Sequence, residues 1–144
     1  MTARARRVRG REPETCDTSV LIPAFLSWHE HHEVARETVG DLPVVPAHVL
    51  LETYSVLTRL PAPHRLAPAV VLDGLGGLTS HLLVLSADRY LGTLAELAVR
   101  GIKGGAVYDG LIAATAKEHG RRLVTLDRRA LPTYEAVGVT VRLP

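Results

Sequence analysis

Short apolar segments alternate with longer stretches of helical periodicity along most of this chain, and that alternation constrains the fold more than any other feature. Residues 42–45, 81–85, 122–126 and 138–143 each carry a brief Val/Leu-rich run. Between them lie helix candidates. Val20 to about Gly40 reads as one or two short helices, with Leu21, Phe25, Trp28 and His32 at i, i+4, i+7 and i+11. Pro46 opens a helix that runs to Leu60 and is stopped by Pro61 and Pro63. Further helices are expected over 67–75, ending in Gly76-Gly77, over 87–100, closed by Gly101, and over 109–119, closed by Gly120. Strands separated by helices cannot close as tight hairpins and pair in parallel through crossovers, so the expected class is an α/β sandwich built from βαβ units. The first strand is the least obvious. Glu12-Pro13-Glu14-Thr15-Cys16 is poor in the β-branched residues of a central parallel strand. A strand is still expected there, because Asp17 needs a rigid element beneath it.

Four acidic residues fall where this scheme has apolar core: Asp17 after the first strand, Glu52 within the stripe Val49, Glu52, Thr53, Val56, Leu60, Asp109 at a helix start, and Asp127 just past residues 122–126. Asp17 and Asp127 would project from the same edge of a parallel sheet, the carboxyl edge at which ligands gather. Each acid has an ordinary explanation of its own, as a helix cap or a turn residue. Glu52 resists one, because an unpaired Glu in a core stripe is rare. Together they demand neutralisation, since clustered carboxylates repel and are costly to bury. A hard divalent cation, Mg²⁺ or Mn²⁺, prefers oxygen ligands and answers that demand. The chemistry indicated is metal-assisted phosphodiester hydrolysis, in which a carboxylate-held metal activates water and neutralises phosphate charge. Glu52 or Asp127 is the acid best placed to orient the water. Arg128 and Arg129 directly follow Asp127 and are suited to hold a phosphate, or to sit as solvated surface charge.

The segments Asp17-Thr18-Ser19-Val20-Leu21-Ile22, Leu51-Glu52-Thr53-Tyr54-Ser55-Val56-Leu57-Thr58-Arg59-Leu60, Tyr108-Asp109-Gly110-Leu111-Ile112-Ala113-Ala114-Thr115-Ala116 and Leu123-Val124-Thr125-Leu126-Asp127-Arg128-Arg129 resemble, in order, the four signatures of PIN-domain ribonucleases, above all the toxins of VapBC toxin–antitoxin pairs. The resemblance spans residues 16 to about 140. It implies a three-layer α/β/α sandwich with a central parallel sheet, Mg²⁺ or Mn²⁺ at an acidic pocket, RNA as substrate, homodimers, and hetero-oligomers with an inhibiting antitoxin. The family's acidic positions fall on Asp17, Glu52, Asp109 and Asp127, and its small polar position on Ser19 or Thr18. Thr18, Ser19 and Thr125 are expected to support the acids. The departure is the segment before Asp17, which lacks the family's apolar first strand.

Charge and composition refine this. The first eleven residues carry five arginines and no acid, whereas the remainder holds 12 basic and 15 acidic groups. The expected organisation is a basic tail over 1–11, disordered or an RNA-contacting arm, followed by one domain over 12–144. No apolar run approaches the ~20 residues of a membrane span. The single cysteine, Cys16, rules out an internal disulfide and fits a reducing, cytoplasmic setting. His29-Glu30-His31-His32 invites a zinc reading, but the spacing of a two-histidine helical site would require histidine where Glu33 stands. Those histidines read as exposed helix residues. Trp28, with Leu21 and Phe25, offers an anchor or groove for a partner helix. Two other functions stay open. A strand-end aspartyl phosphotransferase would want a second Asp two residues after Asp17, where Ser19 stands. The alternative is a non-catalytic, PIN-like protein-binding module.

Overall fold

The computed structural model describes residues 12–40, 42, 44–78 and 81–144. The basic segment 1–11 and Pro43 therefore lie outside the described residues. The elements are β1 (Glu14–Cys16), α1 (Thr18–Ala24), α2 (His32–Gly40), β2 (Val44–Pro46), α3 (Ala47–Arg59), α4 (Pro68–Leu78), β3 (His81–Leu83), α5 (Tyr90–Val99), α6 (Ala106–Glu118), β4 (Arg122–Val124), α7 (Leu131–Val137) and β5 (Val141–Arg142). Helices alternate with strands, as the apolar pattern requires. All strand pairs are parallel: β1 lies beside β4, β4 beside β5, and β2 beside β3. The Thr15 hydroxyl, fully buried, donates to the Val44 carbonyl at 3.1 Å and ties the β1-β4-β5 sheet to the β2-β3 pair. Helices flank this central sheet, and one hydrophobic core runs through it, including Leu21, Val49, Leu57, Val71, Ile112 and Leu123. Among the described residues, no helix is long and apolar enough to cross a membrane.

The first strand forms from an unpromising sequence because tertiary partners satisfy its polar side chains. Glu14 accepts from Arg122 Nε at 2.9 Å and from Arg142 Nε at 2.8 Å, so one carboxylate staples β1 to β4 and β5. These guanidiniums hold the Glu14 carboxyl far down, at about 2. Cys16 is fully buried, and burial pushes its thiol well above the usual range, so it acts as a small apolar residue.

Several boundaries differ from expectation. Gly76 and Gly77 do not end a helix. They lie inside α4, which continues to Leu78. Asp109 does not start its helix. It lies in the first turn of α6, which begins at Ala106, still where free N–H groups favour an anion. The segment from Val20 to Gly40 is two helices with a break after Ala24, so Trp28 lies on neither and the four-residue periodicity through it is interrupted. In α3 the buried stripe is Val49, Thr53 and Leu57, and Glu52 lies at its border. Close approach also matters: a Cβ at Gly110 would lie 2.7 Å from Leu97 Cδ1, so glycine lets α6 press on α5 just beyond Asp109.

Candidate functional site

Asp17 caps α1 immediately after β1, and its carboxylate is 3% exposed at the level of the residue. Four donors converge on it. The Ser19 N–H donates to Oδ1 at 3.0 Å, and the Ser19 hydroxyl donates to the same oxygen. The Thr125 hydroxyl and the Tyr134 phenol, the latter at 2.6 Å, donate to Oδ2. These hydroxyls are themselves polarised. The Leu126 N–H donates to Ser19 Oγ at 2.8 Å, and the Asp127 N–H donates to Thr125 Oγ1 at 3.0 Å. Two relays thus run from backbone N–H groups at the end of β4, through hydroxyls, onto one carboxylate at the end of β1. Burial pushes the Asp17 carboxyl upward, and the hydroxyls of Ser19, Thr125 and Tyr134 oppose it. The tyrosine phenol is in turn raised, first by burial and then by the Asp17 charge.

The second relay fixes Asp127 as well. Its side chain caps the turn 128–130 by accepting from the Arg129 N–H at 2.9 Å. Asp109 faces this end of the sheet from α6. Burial raises its carboxyl to about 6, with further contributions from the charges of Asp17, Glu52 and Asp127. Glu52 faces it from α3. One of its oxygens, Oε2, is buried and makes no hydrogen bond among the described residues, and His48 Nε2 stands 3.6 Å away. The four expected acids are therefore brought together closely enough to act on one another. Among the described residues, no lysine or arginine is one of the groups that set the Asp109 proton affinity.

The acids stop short of a closed cage: among the described residues no three Asp, Glu, His or Cys side chains form a ready-made ligand group. Both facts fit four like charges that stand off until something positive lies between them. Mg²⁺ in particular keeps several waters and takes only one or two carboxylates directly, so an open acidic pocket suits it better than a cage. The unbonded Glu52 oxygen and the all-oxygen donor set fit such a cation. Asp109 and Asp127 have free oxygens for it, whereas Asp17 already accepts four hydrogen bonds and is the most constrained of the set.

The supporting residues divide. Ser19 and Thr125 carry the relays, while Thr18, at the first position of α1, lines a cleft beside Asp127. Arg128 and Arg129 are exposed, and the Arg129 side chain, 96% exposed, reaches back only to Asp127 at 3.7 Å. His32 is occupied by the fold, with Nδ1 2.8 Å from the Pro23 carbonyl at the end of α1. Sequence reading missed two features. Tyr134 left no local signal, since only the fold carries its phenol to Asp17. His48 was legible as the residue one helical turn before Glu52. Its ring stacks on Tyr108, the neighbour of Asp109, at 5.1 Å and 5°. The expected stripe of Leu21, Phe25 and Trp28 is not a surface groove: Leu21 is fully buried, and Trp28, 55% exposed, lies against His64 instead.

Known proteins share the family and the fold. Residues 15–135 match the PIN domain family. The chain is 48% identical to Ribonuclease VapC40 of Mycobacterium tuberculosis over 128 residues, covering 88% of this chain and 96% of that protein. It is 41% identical to Ribonuclease VapC27 of the same organism, covering 91% and 96%. The fold is shared with the DNA-bound VapBC of Salmonella typhimurium, with a TM-score of 0.63, 24% identity, and coverage of 92% of this chain and 98% of that one. It is shared also with FitAcB of Neisseria gonorrhoeae, with a TM-score of 0.58, 23% identity, and coverage of 88% and 94%. A parallel α/β chain with its acids at the carboxyl edge, matched to the family over residues 15–135 and to VapC proteins over most of its length, belongs to the PIN-domain family, in its VapC branch.

Proposed function

We infer that this protein is a Mg²⁺- or Mn²⁺-dependent endoribonuclease, the toxin of a toxin–antitoxin pair, hydrolysing RNA phosphodiester bonds at Asp17, Glu52, Asp109 and Asp127. The observation that carries the reading is a pocket of four acids in which, among the described residues, no lysine or arginine acts on Asp109 and a buried Glu52 oxygen has no hydrogen-bond partner. RNA as substrate is supported by the kinship to named ribonucleases at 41–48% identity. When bound, the divalent ion would lower the pKa of water and neutralise charge building on the phosphate.

The chain's own residues supply position. Asp17, held by four donors, is the fixed reference of the site. Asp127 is held through its own N–H on Thr125 and through its cap on the Arg129 N–H. Asp109 rides on α6, and a cation beside it would favour the ionised carboxylate that burial and the neighbouring acids disfavour. Glu52, with one oxygen buried and the side chain 38% exposed, has the freedom to orient the attacking water. His48 lies beside it, Nε2 3.6 Å from Oε2, from one turn earlier on α3.

Membership of the VapC branch extends the reading to a protein antitoxin, with assembly as a homodimer and as a toxin–antitoxin hetero-oligomer. The pocket offers the antitoxin a handle, since a guanidinium forks well onto paired carboxylates. The test is RNA cleavage by the purified chain with Mn²⁺, with EDTA, and as Asp109→Asn. Cleavage should require metal and fall by on the order of a hundred-fold or more in the variant. Undiminished cleavage by folded Asp109→Asn contradicts the site.

A further inference from the structure

The turn between α1 and α2 places a row of rings beside the acidic pocket. Trp28 packs on His64 with centroids 4.4 Å apart, and on His29 at 5.9 Å; His29 lies 5.6 Å from His31. Trp28 and His64 are exposed, and the His31 side chain is 44% exposed. His29 Nδ1 accepts the His31 N–H at 3.1 Å, so the proton of the neutral ring sits on Nε2. The row ends at a cleft of about 310 Å³ in which His29 and His31 meet Arg129, Asp127 and the Thr18–Ser19 start of α1. A second cleft continues past His31 to Arg128. Acidic groups are present too: Asp127 in the cleft lining, tied to the Arg129 N–H, and exposed Glu30, 3.5 Å from His31 Nε2.

An exposed indole and imidazoles beside exposed guanidiniums, one of them 3.7 Å from Asp127, are what single-stranded nucleic acid requires. Bases stack on rings without regard to sequence, and phosphates seek arginine. The cleft at its end sets apolar Ile22, Pro23 and Leu126 among polar groups, so what favours nucleic acid over an aliphatic helix is the row of imidazole and indole rings leading to two exposed arginines. We propose that Trp28, His64, His29 and His31, with Arg128 and Arg129, form the track that holds the single-stranded RNA flanking the scissile bond, phosphates on the arginines and a base on Trp28. This rests on the nuclease reading above and specifies where its substrate runs. These are positioning residues, and they do not enter the bond-breaking step.

Trp28 is the only tryptophan of the chain, so its fluorescence reports the track directly. The full chain would be titrated in EDTA, where no turnover occurs, with a ten-nucleotide single-stranded RNA and with a blunt RNA duplex. The single strand should quench Trp28, and the duplex should not. Trp28→Ala should weaken single-strand affinity by roughly five- to a hundred-fold, and Trp28→Phe should restore most of it. Arg129→Ala should reduce the slope of log affinity against log salt by about 0.7. With metal, both alanine variants should raise KM far more than they lower kcat. Should Trp28→Ala fail to fold, the wild-type quench and Trp28→Phe decide. Cleavage of RNA with no Trp28 quench and unchanged KM in the variants overturns the track while leaving the nuclease standing. Loss of antitoxin binding in Trp28→Ala with RNA affinity intact overturns it in favour of a protein contact. Neither binding nor cleavage of RNA by the wild type overturns both.

Discussion

The two ends of the first strand treat a carboxylate in opposite ways. At its start, Glu14 is gripped by Arg122 and Arg142, and its carboxyl is held at about 2. Three residues later, Asp17 meets only hydroxyls and a backbone N–H among the described residues, and its charge joins those of Glu52 and Asp127 in acting on Asp109. There the result is an Asp109 carboxyl raised to about 6. The same sheet supplies both environments. The amino edge is closed electrostatically and holds three strands together. The carboxyl edge is left open, and the cost of that opening is what a cation would relieve. Stability and function are thus separated by the length of a three-residue strand.

Substitutions can break this contrast. The largest effect is expected from Asp17→Ala, which strands the buried hydroxyls of Thr125 and Tyr134 and the capping N–H of Ser19. A loss of about 3 kcal/mol is expected by urea denaturation, together with loss of cleavage. Glu14→Gln should cost about 2 kcal/mol, because Arg142 loses its counter-charge and Arg122 keeps only Glu12, 3.9 Å away, while water screens part of the effect. Asp109→Asn should act in the other direction. In EDTA near pH 7.5 it removes a repelled charge and should raise stability by about 1 kcal/mol, the shift being discounted for a half-exposed pocket. A destabilised Asp109→Asn in EDTA, or a neutral Glu14→Gln, would erase the distinction between the two edges.

The pH dependence sharpens the same contrast. Glu14 is depressed from 4.5 to about 2, so its stabilisation is complete above about pH 4.5 and is lost as pH falls toward 2. Asp109 is raised from 3.8 to about 6, so its penalty is absent below about pH 4, develops as pH rises, and is complete above about pH 6. Metal-free protein should therefore lose stability on both sides of a maximum near pH 4–5, as far as these two groups decide it. Glu14→Gln should flatten the acid limb alone, and Asp109→Asn the limb between pH 4 and 6. Thermal melts across pH 3–8 in EDTA read both.

Much of the carboxyl edge was legible in the sequence. Four acids interrupting apolar segments marked the pocket, and the alternation of strands and helices put Asp17 and Asp127 on one edge. Ser19 and Thr125 were within reach, since each lies two residues from an acid. The amino edge was not legible. Glu14-Thr15-Cys16 becomes a central strand only through Arg122, Arg142 and the Val44 carbonyl, residues 29 to 128 positions away along the chain. Tyr134 was hidden for the same reason. Helix ends at Gly76 and Asp109 were misplaced because glycine and aspartate are ambiguous inside a helix, where tertiary packing outweighs their intrinsic preference. Trp28 was assigned to a helical stripe that stops at Ala24, and the ring row it joins spans two separate loops.

The central claim is that the carboxyl edge is left uncompensated in order to take a divalent cation. Melting temperature at pH 7.5, in EDTA and across a wide range of Mn²⁺, tests it for wild type, Glu14→Gln and Asp109→Asn. The account predicts that Mn²⁺ raises the wild-type and Glu14→Gln transitions by the same interval, from different starting points, and raises Asp109→Asn much less. Superimposed curves with and without Mn²⁺ for the wild type would contradict it.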